Sequence, residues 1–136
     1  MAFRPPPRAK PEPQRRALGA QIERSARFFL AQKGLTPFAE NAHARVGEID
    51  LVMFDGDALV FVEVRYRAQD THGGALASVD WHKQRKLIRA AEMFLLRNQG
   101  LSRLPCRFDV VCVKGALDAL EFEWIRDAFR LDDVYR

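Results

Sequence analysis

The sequence predicts an α/β domain: a mixed β-sheet flanked by helices, in the order α-β-β-β-α-β-β. Three observations predict it. Apolar residues recur at helical spacing in two segments, near residues 15–33 and 79–99. Two arms dense in β-branched and aromatic residues flank Asp55-Gly56-Asp57, a strong hairpin signal. Beyond the second helical segment, Cys106 to Lys114 reads as a further strand, so strands on both sides of a helix share one sheet.

Residues 1–14 hold Pro5, Pro6, Pro7, Pro11 and Pro13 and little that could be buried, which predicts a disordered, basic, proline-rich arm. A single domain is expected over 15–136. In its first helix Leu18, Ile22, Ala26, Phe29 and Leu30 form the apolar stripe and Gly34 the C-terminal stop. Residues 35–45, interrupted by Pro37, read as a strand or an irregular extended segment. The hairpin arms, Gly47 to Phe54 and Ala58 to Arg65, supply the next two strands. Residues 68–77, with Gly73-Gly74, read as a mobile loop. The second helix is capped by Ser78 or Asp80 and followed by Gly100, and buries Leu87, Ile88, Ala91, Phe94 and Leu95. After the 106–114 strand, residues 120–125 are a last strand and Asp127 to Tyr135 a tail or helical turn.

Composition excludes several classes. A chain of 136 residues with 48% apolar and 29% charged residues suits one soluble globular domain. No apolar run approaches the roughly 18 residues of a membrane span, and no apolar stretch follows the N-terminal basic residues as a secretory signal would require. Cys106 and Cys112 lie too far apart along one strand to pair, and read as two reduced core thiols of a cytoplasmic protein. The net charge of +4 equals that of residues 1–16, which carry five basic side chains and one acid, so the rest of the chain is formally neutral. Within the body, residues 65–103 hold eight basic and three acidic side chains, and residues 117–133 two basic and six acidic. One basic and one acidic side suits a nucleic-acid surface, although solvated helix faces give the same pattern.

The hairpin is where chemistry concentrates. If Gly56-Asp57 is the loop, Asp50 falls opposite Glu63. If Asp55-Gly56 is the loop, the two become diagonal neighbours on one face. A three-residue loop without a bulge sends them to opposite faces. Directly opposed residues have Cβ atoms about 4.5–5.5 Å apart, where like charges repel. A hard divalent cation relieves that repulsion, because Mg²⁺ is commonly held by one or two carboxylates plus substrate phosphates. Glu63, Arg65 and Arg67 share a strand face, so a cross-strand ion pair of Arg65 with Glu63 or Asp50 is the alternative that needs no metal.

The stretches Gly47-Glu48-Ile49-Asp50-Leu51, Phe61-Val62-Glu63-Val64-Arg65-Tyr66-Arg67 and Arg107-Phe108-Asp109-Val110-Val111 resemble the signature of the YraN family. So does Glu23-x-x-Ala26-x-x-Phe29-Leu30 ending at Gly34. The likeness covers roughly residues 18–129. The family is regarded as one of candidate endonucleases, similar to archaeal Holliday-junction resolvases and to the restriction-endonuclease-like fold, whose core order α-β-β-β-α-β agrees with the periodicity above. The resemblance implies that Asp50 and Glu63, with the Val64 carbonyl, hold Mg²⁺ or Mn²⁺, and that Glu23 supplements them. It puts Arg65 where the wider fold has a lysine, with Lys83 or Lys86 as a relocated basic residue. It makes Arg67, Lys83, Lys86 and Arg89 contacts to the DNA backbone and Arg65 the clamp on the reacting phosphate. DNA, branched in the resolvase analogy, is the implied partner, and a homodimer is the implied assembly. Arginine cannot serve as a base, so Arg65 leaves open a non-catalytic nucleic-acid-binding protein on a nuclease fold. A protein-interaction domain using the arm and the acidic C-terminal segment is the third reading.

Weaker candidates are read as structural. Asp109 shares a face with Arg107, which predicts an ion pair. His43, His72 and His82 show no ligand spacing and are expected at the surface. Trp81 and Trp124 are expected to pack.

Overall fold

The computed structural model describes residues 11–44, 47–68 and 79–130, with the side chains of 41, 43 and 44 left aside. The first helix, α1 (Glu12–Gln32), starts behind Pro11 with Pro13 in its first turn, where a fixed φ and a missing N–H cost nothing. Residues 12–14 therefore belong to the helix and not to the proline-rich arm, while residues 1–10 lie outside the described region. The helix ends in a Schellman motif. Gly34 takes φ 102°, its N–H bonds the Ala31 carbonyl at 3.1 Å and the Leu35 N–H bonds the Leu30 carbonyl at 3.1 Å. Leu30 and Leu35 are both buried beneath that turn.

Five strands follow: β1 (Thr36–Ala44), β2 (Gly47–Asp55), β3 (Ala58–Arg67), β4 (Cys106–Lys114) and β5 (Glu121–Phe129). They form one sheet in the order β1-β2-β3-β4-β5. All neighbours run antiparallel except β3 and β4, which are parallel and joined through α2 (Trp81–Arg97). Pro37 is accommodated by a register shift in β1 between Pro37 and Ala39. The last strand runs four residues beyond the expected 125, so Asp127 to Phe129 are strand and not tail. The expected loop at 68–77 and the residues after 130 lie almost wholly outside the described region.

The sheet separates two apolar layers. On one face Ile22, Ala26 and Leu30 of α1 pack on Leu51, Met53, Val60, Val62, Val111 and Val113. On the other, Leu87 and Ile88 of α2 meet Val79, Val110, Cys112 and Phe129, and Ala90 and Ala91 meet Ile49, Val52, Leu59 and Phe61. Asp80 caps α2, its carboxylate accepting the Lys83 N–H at 2.9 Å. Of the two free cysteines, Cys112 is buried but Cys106 is exposed, which corrects the expectation of two core thiols. Position 106 is the first residue of β4 and lines an open cleft of about 500 Å³ with Ile88, Ala91 and Leu95 of α2. Asp109 is 1% exposed and fully engaged. It accepts two bonds from Arg107, one from the Trp124 indole and one from the Asp127 N–H, all at 2.9 Å.

Candidate functional site

The hairpin register puts Asp55 opposite Ala58 and Leu51 opposite Val62. Gly56 supplies the positive φ, 58°, that a two-residue loop needs at its first position. That is the register in which residues 50 and 63 face one another. The ladder of paired residues ends at Leu51 and Val62, and here β2 departs from strict alternation. Leu51 and Met53 pack towards α1, yet Ile49 packs with Val52 on the α2 side. Asp50 sits at this crossover. Its Oδ2 accepts the Val64 N–H at 2.9 Å, in place of a backbone carbonyl. It also shares a hydrogen bond with Glu23, which α1 brings from above the sheet.

Glu63 faces the other way along β3, towards α2, and is only 5% exposed. Its Oε1 lies 3.4 Å from Arg65 Nε and 3.6 Å from Lys83 Nζ. Its Oε2 is buried with no hydrogen-bond partner. Such an atom is costly to leave unsatisfied. Of the two lysines expected near the site, α2 thus delivers Lys83. Lys86 lies with His82, Arg85 and Arg89 around a shallow cleft of about 180 Å³ on the outer face of the helix. Arg67, at the end of β3, donates to the Tyr66 carbonyl at 2.9 Å.

The electrostatics of the cluster run one way. Burial, then the charge of Asp50, pushes Glu63 up to about 7. Burial, then the charge and hydrogen bond of Asp50, pushes Glu23 up to about 8. Asp50 is also raised by burial, against the opposing pull of the Val64 N–H and Lys83. Three carboxyls from α1, β2 and β3 therefore crowd one place with less positive charge than they need. Among the described residues, no group of three or more His, Cys, Asp or Glu side chains is arranged to hold a metal ion by itself. What the site offers is two hard oxygen donors, one of them orphaned, and cations at the margin.

Trp124 packs at the edge of the α1-side layer, as expected. Trp81, 47% exposed at the first residue of α2, lies against Arg85 and His82 and not in either apolar layer. The one available signal was its place directly after the capping Asp80. His82 is exposed, whereas His43 and His72 fall where side chains are not described.

Fold and site together define an α/β protein with an acidic cluster at the point where two antiparallel strands part, bordered by cations. The Uncharacterised protein family UPF0102 matches residues 22–113, which span α1, the hairpin, α2 and β4. A UPF0102 protein of Xanthomonas axonopodis pv. citri is 56% identical over 119 residues, 88% of this chain and 96% of the relative. One from Xylella fastidiosa strain M12 is 55% identical over 119 residues, covering 88% and 97%. The chain belongs to the UPF0102 family, the YraN-like proteins. No described helix is long and apolar enough to cross a membrane.

Proposed function

We propose that the protein is a metal-dependent endonuclease that hydrolyses DNA phosphodiester bonds on a restriction-endonuclease-like fold, with branched or junction DNA as its preferred class. The observation that carries this reading is the convergence of Glu23, Asp50 and Glu63 beside Lys83, with Glu63 Oε2 buried and unpartnered. The donor set fits a hard cation: Asp50, Glu63 and the Val64 carbonyl would hold Mg²⁺ or Mn²⁺, and phosphate oxygens would complete a shell that the protein alone does not close. When bound, the cation supplies Lewis-acid charge that neutralises the scissile phosphate and acidifies water.

The chain's own residues then have distinct tasks. The Val64 N–H fixes one Asp50 oxygen and so sets the direction of the other. Glu23, raised to about 8, holds a proton on the Asp50 side of the cluster near neutral pH. Arg65, 23% exposed at its side chain, would hold a non-bridging phosphate oxygen as charge builds. Lys83 brings an ammonium to the edge of the Glu63 carboxylate. Lys86 and Arg89, on the outer face of α2, contact backbone phosphates without reading sequence.

The binding-only alternative draws on Arg65, which stands where the wider fold has a lysine. Lys83 at 3.6 Å from Glu63 weighs against it, because it returns a lysine to the same carboxylate from another element. The test is a cleavage assay on linear duplex, single-stranded and four-way-junction DNA, with Mg²⁺, Mn²⁺ or EDTA. Cleavage should need the metal and fall at least 100-fold in Asp50→Ala and Glu63→Ala, a loss of roughly 2.7 kcal/mol in transition-state stabilisation. Wild-type cleavage by either variant, or none by the wild type on any substrate, removes the nuclease reading. Salt-sensitive, metal-independent binding without cleavage would install the alternative.

A further inference from the structure

We infer that Trp81 is a base-stacking residue, and that the DNA entering the site carries unpaired bases beside the phosphate to be cut; this rests on the nuclease reading for where that phosphate lies. The indole is the first side chain of α2 and keeps 47% of its surface exposed. Its neighbours are planar and basic. The Arg85 guanidinium lies over the ring at 4.7 Å from its centroid, and the His82 imidazole meets it edge-on at 5.0 Å. Arg85 and His82 also line the basic cleft with Lys86 and Arg89. A half-exposed indole with a guanidinium over its ring and an imidazole at its edge suits a nucleobase with its flanking phosphates: the base stacks on the ring or on the Arg85 plane that covers it, and the cations neutralise.

A continuous duplex accounts for the cations but not for the ring. Bases within a duplex have their faces covered by their neighbours, so the indole finds a free face only at a single strand, a gap or a branch. The location fits that substrate. Lys83, two residues on, points its ammonium at Glu63 from the opposite side of the same first turn. The helix between them is about 10 Å across. A base on Trp81 is thus a few nucleotides at most from a phosphate at Glu63, and the start of α2, with its basic outer face, lies along the path.

The test uses full-length protein in EDTA with three fluorescently labelled DNAs: a single strand, a blunt duplex, and the same duplex with a single-stranded tail. Trp81→Ala should weaken binding of the single strand and the tailed duplex at least about fivefold, and of the blunt duplex less than twofold. Trp81→Phe should recover most of that loss. In wild type, added single strand should quench indole fluorescence, and Trp81→Phe should abolish the quench while leaving Trp124 emission unchanged. Equal loss on all three DNAs, no loss on any, or no binding of any DNA overturns the inference. A parallel cleavage assay in Mn²⁺ separates the two claims. Cleavage without any Trp81 effect leaves the nuclease and removes the stacking residue, while Trp81-dependent tail preference without cleavage does the reverse.

Discussion

Glu63→Gln removes one negative charge from a place where three carboxyls compete. The sign of its effect on stability follows from linkage. Glu63 titrates at about 7 in the folded protein against 4.5 ordinarily, so the folded state binds the extra proton between those values. Below 4.5 the group is neutral in both states and costs nothing. As pH rises through 7 the folded protein must carry a buried carboxylate, and stability falls. A difference of that size corresponds to roughly 3 kcal/mol at pH 8. It is an upper bound, because Asp50 and Glu23 share the same repulsion, and because the glutamine amide gives up the charge-assisted contacts of Oε1 with Arg65 and Lys83.

Glu63→Gln in EDTA should therefore be about 1–3 kcal/mol more stable than wild type at pH 8, and equal to it within about 0.5 kcal/mol at pH 4.5. Urea unfolding followed by far-UV circular dichroism at both pH values measures this directly. Saturating Mn²⁺ should reverse the order at pH 8. Ligand at about 100 times its Kd adds roughly 2.7 kcal/mol to a protein that binds it, and the variant lacks one of the two donors. A variant less stable than wild type at pH 8 in EDTA, or one with the same difference at both pH values, would show that the carboxylate is well satisfied as it stands and that no cation is wanted.

Three further outcomes follow from the same geometry. Lys83→Ala should lower kcat about 10²-fold, or roughly 2.7 kcal/mol, with little change in DNA affinity, whereas Lys86→Ala should leave kcat alone and reduce the slope of log K against log salt by about 1; steady-state kinetics and a salt titration separate the two. Asp109→Ala should cost about 2–4 kcal/mol in urea unfolding, because it leaves the Trp124 indole and the Asp127 N–H without their acceptor and Arg107 with Asp55 as its remaining carboxylate. Gly34→Ala should cost about 1 kcal/mol by the same assay, since φ 102° is strained for any Cβ although space around it is open.

The parts of this structure legible in the sequence are those governed by local rules. Period 3.6 located the stripe Ile22, Ala26 and Leu30, and period 2 with Asp-Gly turn chemistry located the hairpin and left its register to two or three choices. The structure selects the choice in which the loop is Gly56-Asp57, with the ladder ending at Leu51 and Val62, one residue short of Asp50 and Glu63. Glu23 was legible only through the family resemblance, because nothing in a helical stripe says which acid will hang over a sheet. The crossover at Asp50 was not legible. It arises because Ile49 is drawn into the layer beneath α2 with Ala90 and Ala91, a contact more than forty residues away in sequence, and a strand pattern read locally assumes unbroken alternation.

That crossover also bears on Arg65 of β3. A side chain at position 65 reaches the cluster along the strand and meets Glu63 from its own face, at 3.4 Å. Lys83 reaches the same oxygen from α2, from outside the sheet, at 3.6 Å. The two cations therefore approach Oε1 from different elements, and neither is within hydrogen-bonding distance in a good geometry. Oε2 has no hydrogen-bond partner. If their purpose were to neutralise Glu63, a short bidentate pair with Arg65 would do it, as Arg107 does for Asp109 with two bonds of 2.9 Å on the neighbouring strand. The same protein thus satisfies one buried carboxylate completely and leaves another partly open, with its pKa raised to about 7. Asp109 has the arrangement of a structural anchor, and Glu63 that of a partly satisfied carboxyl, which is what the proposed metal-binding role requires of it.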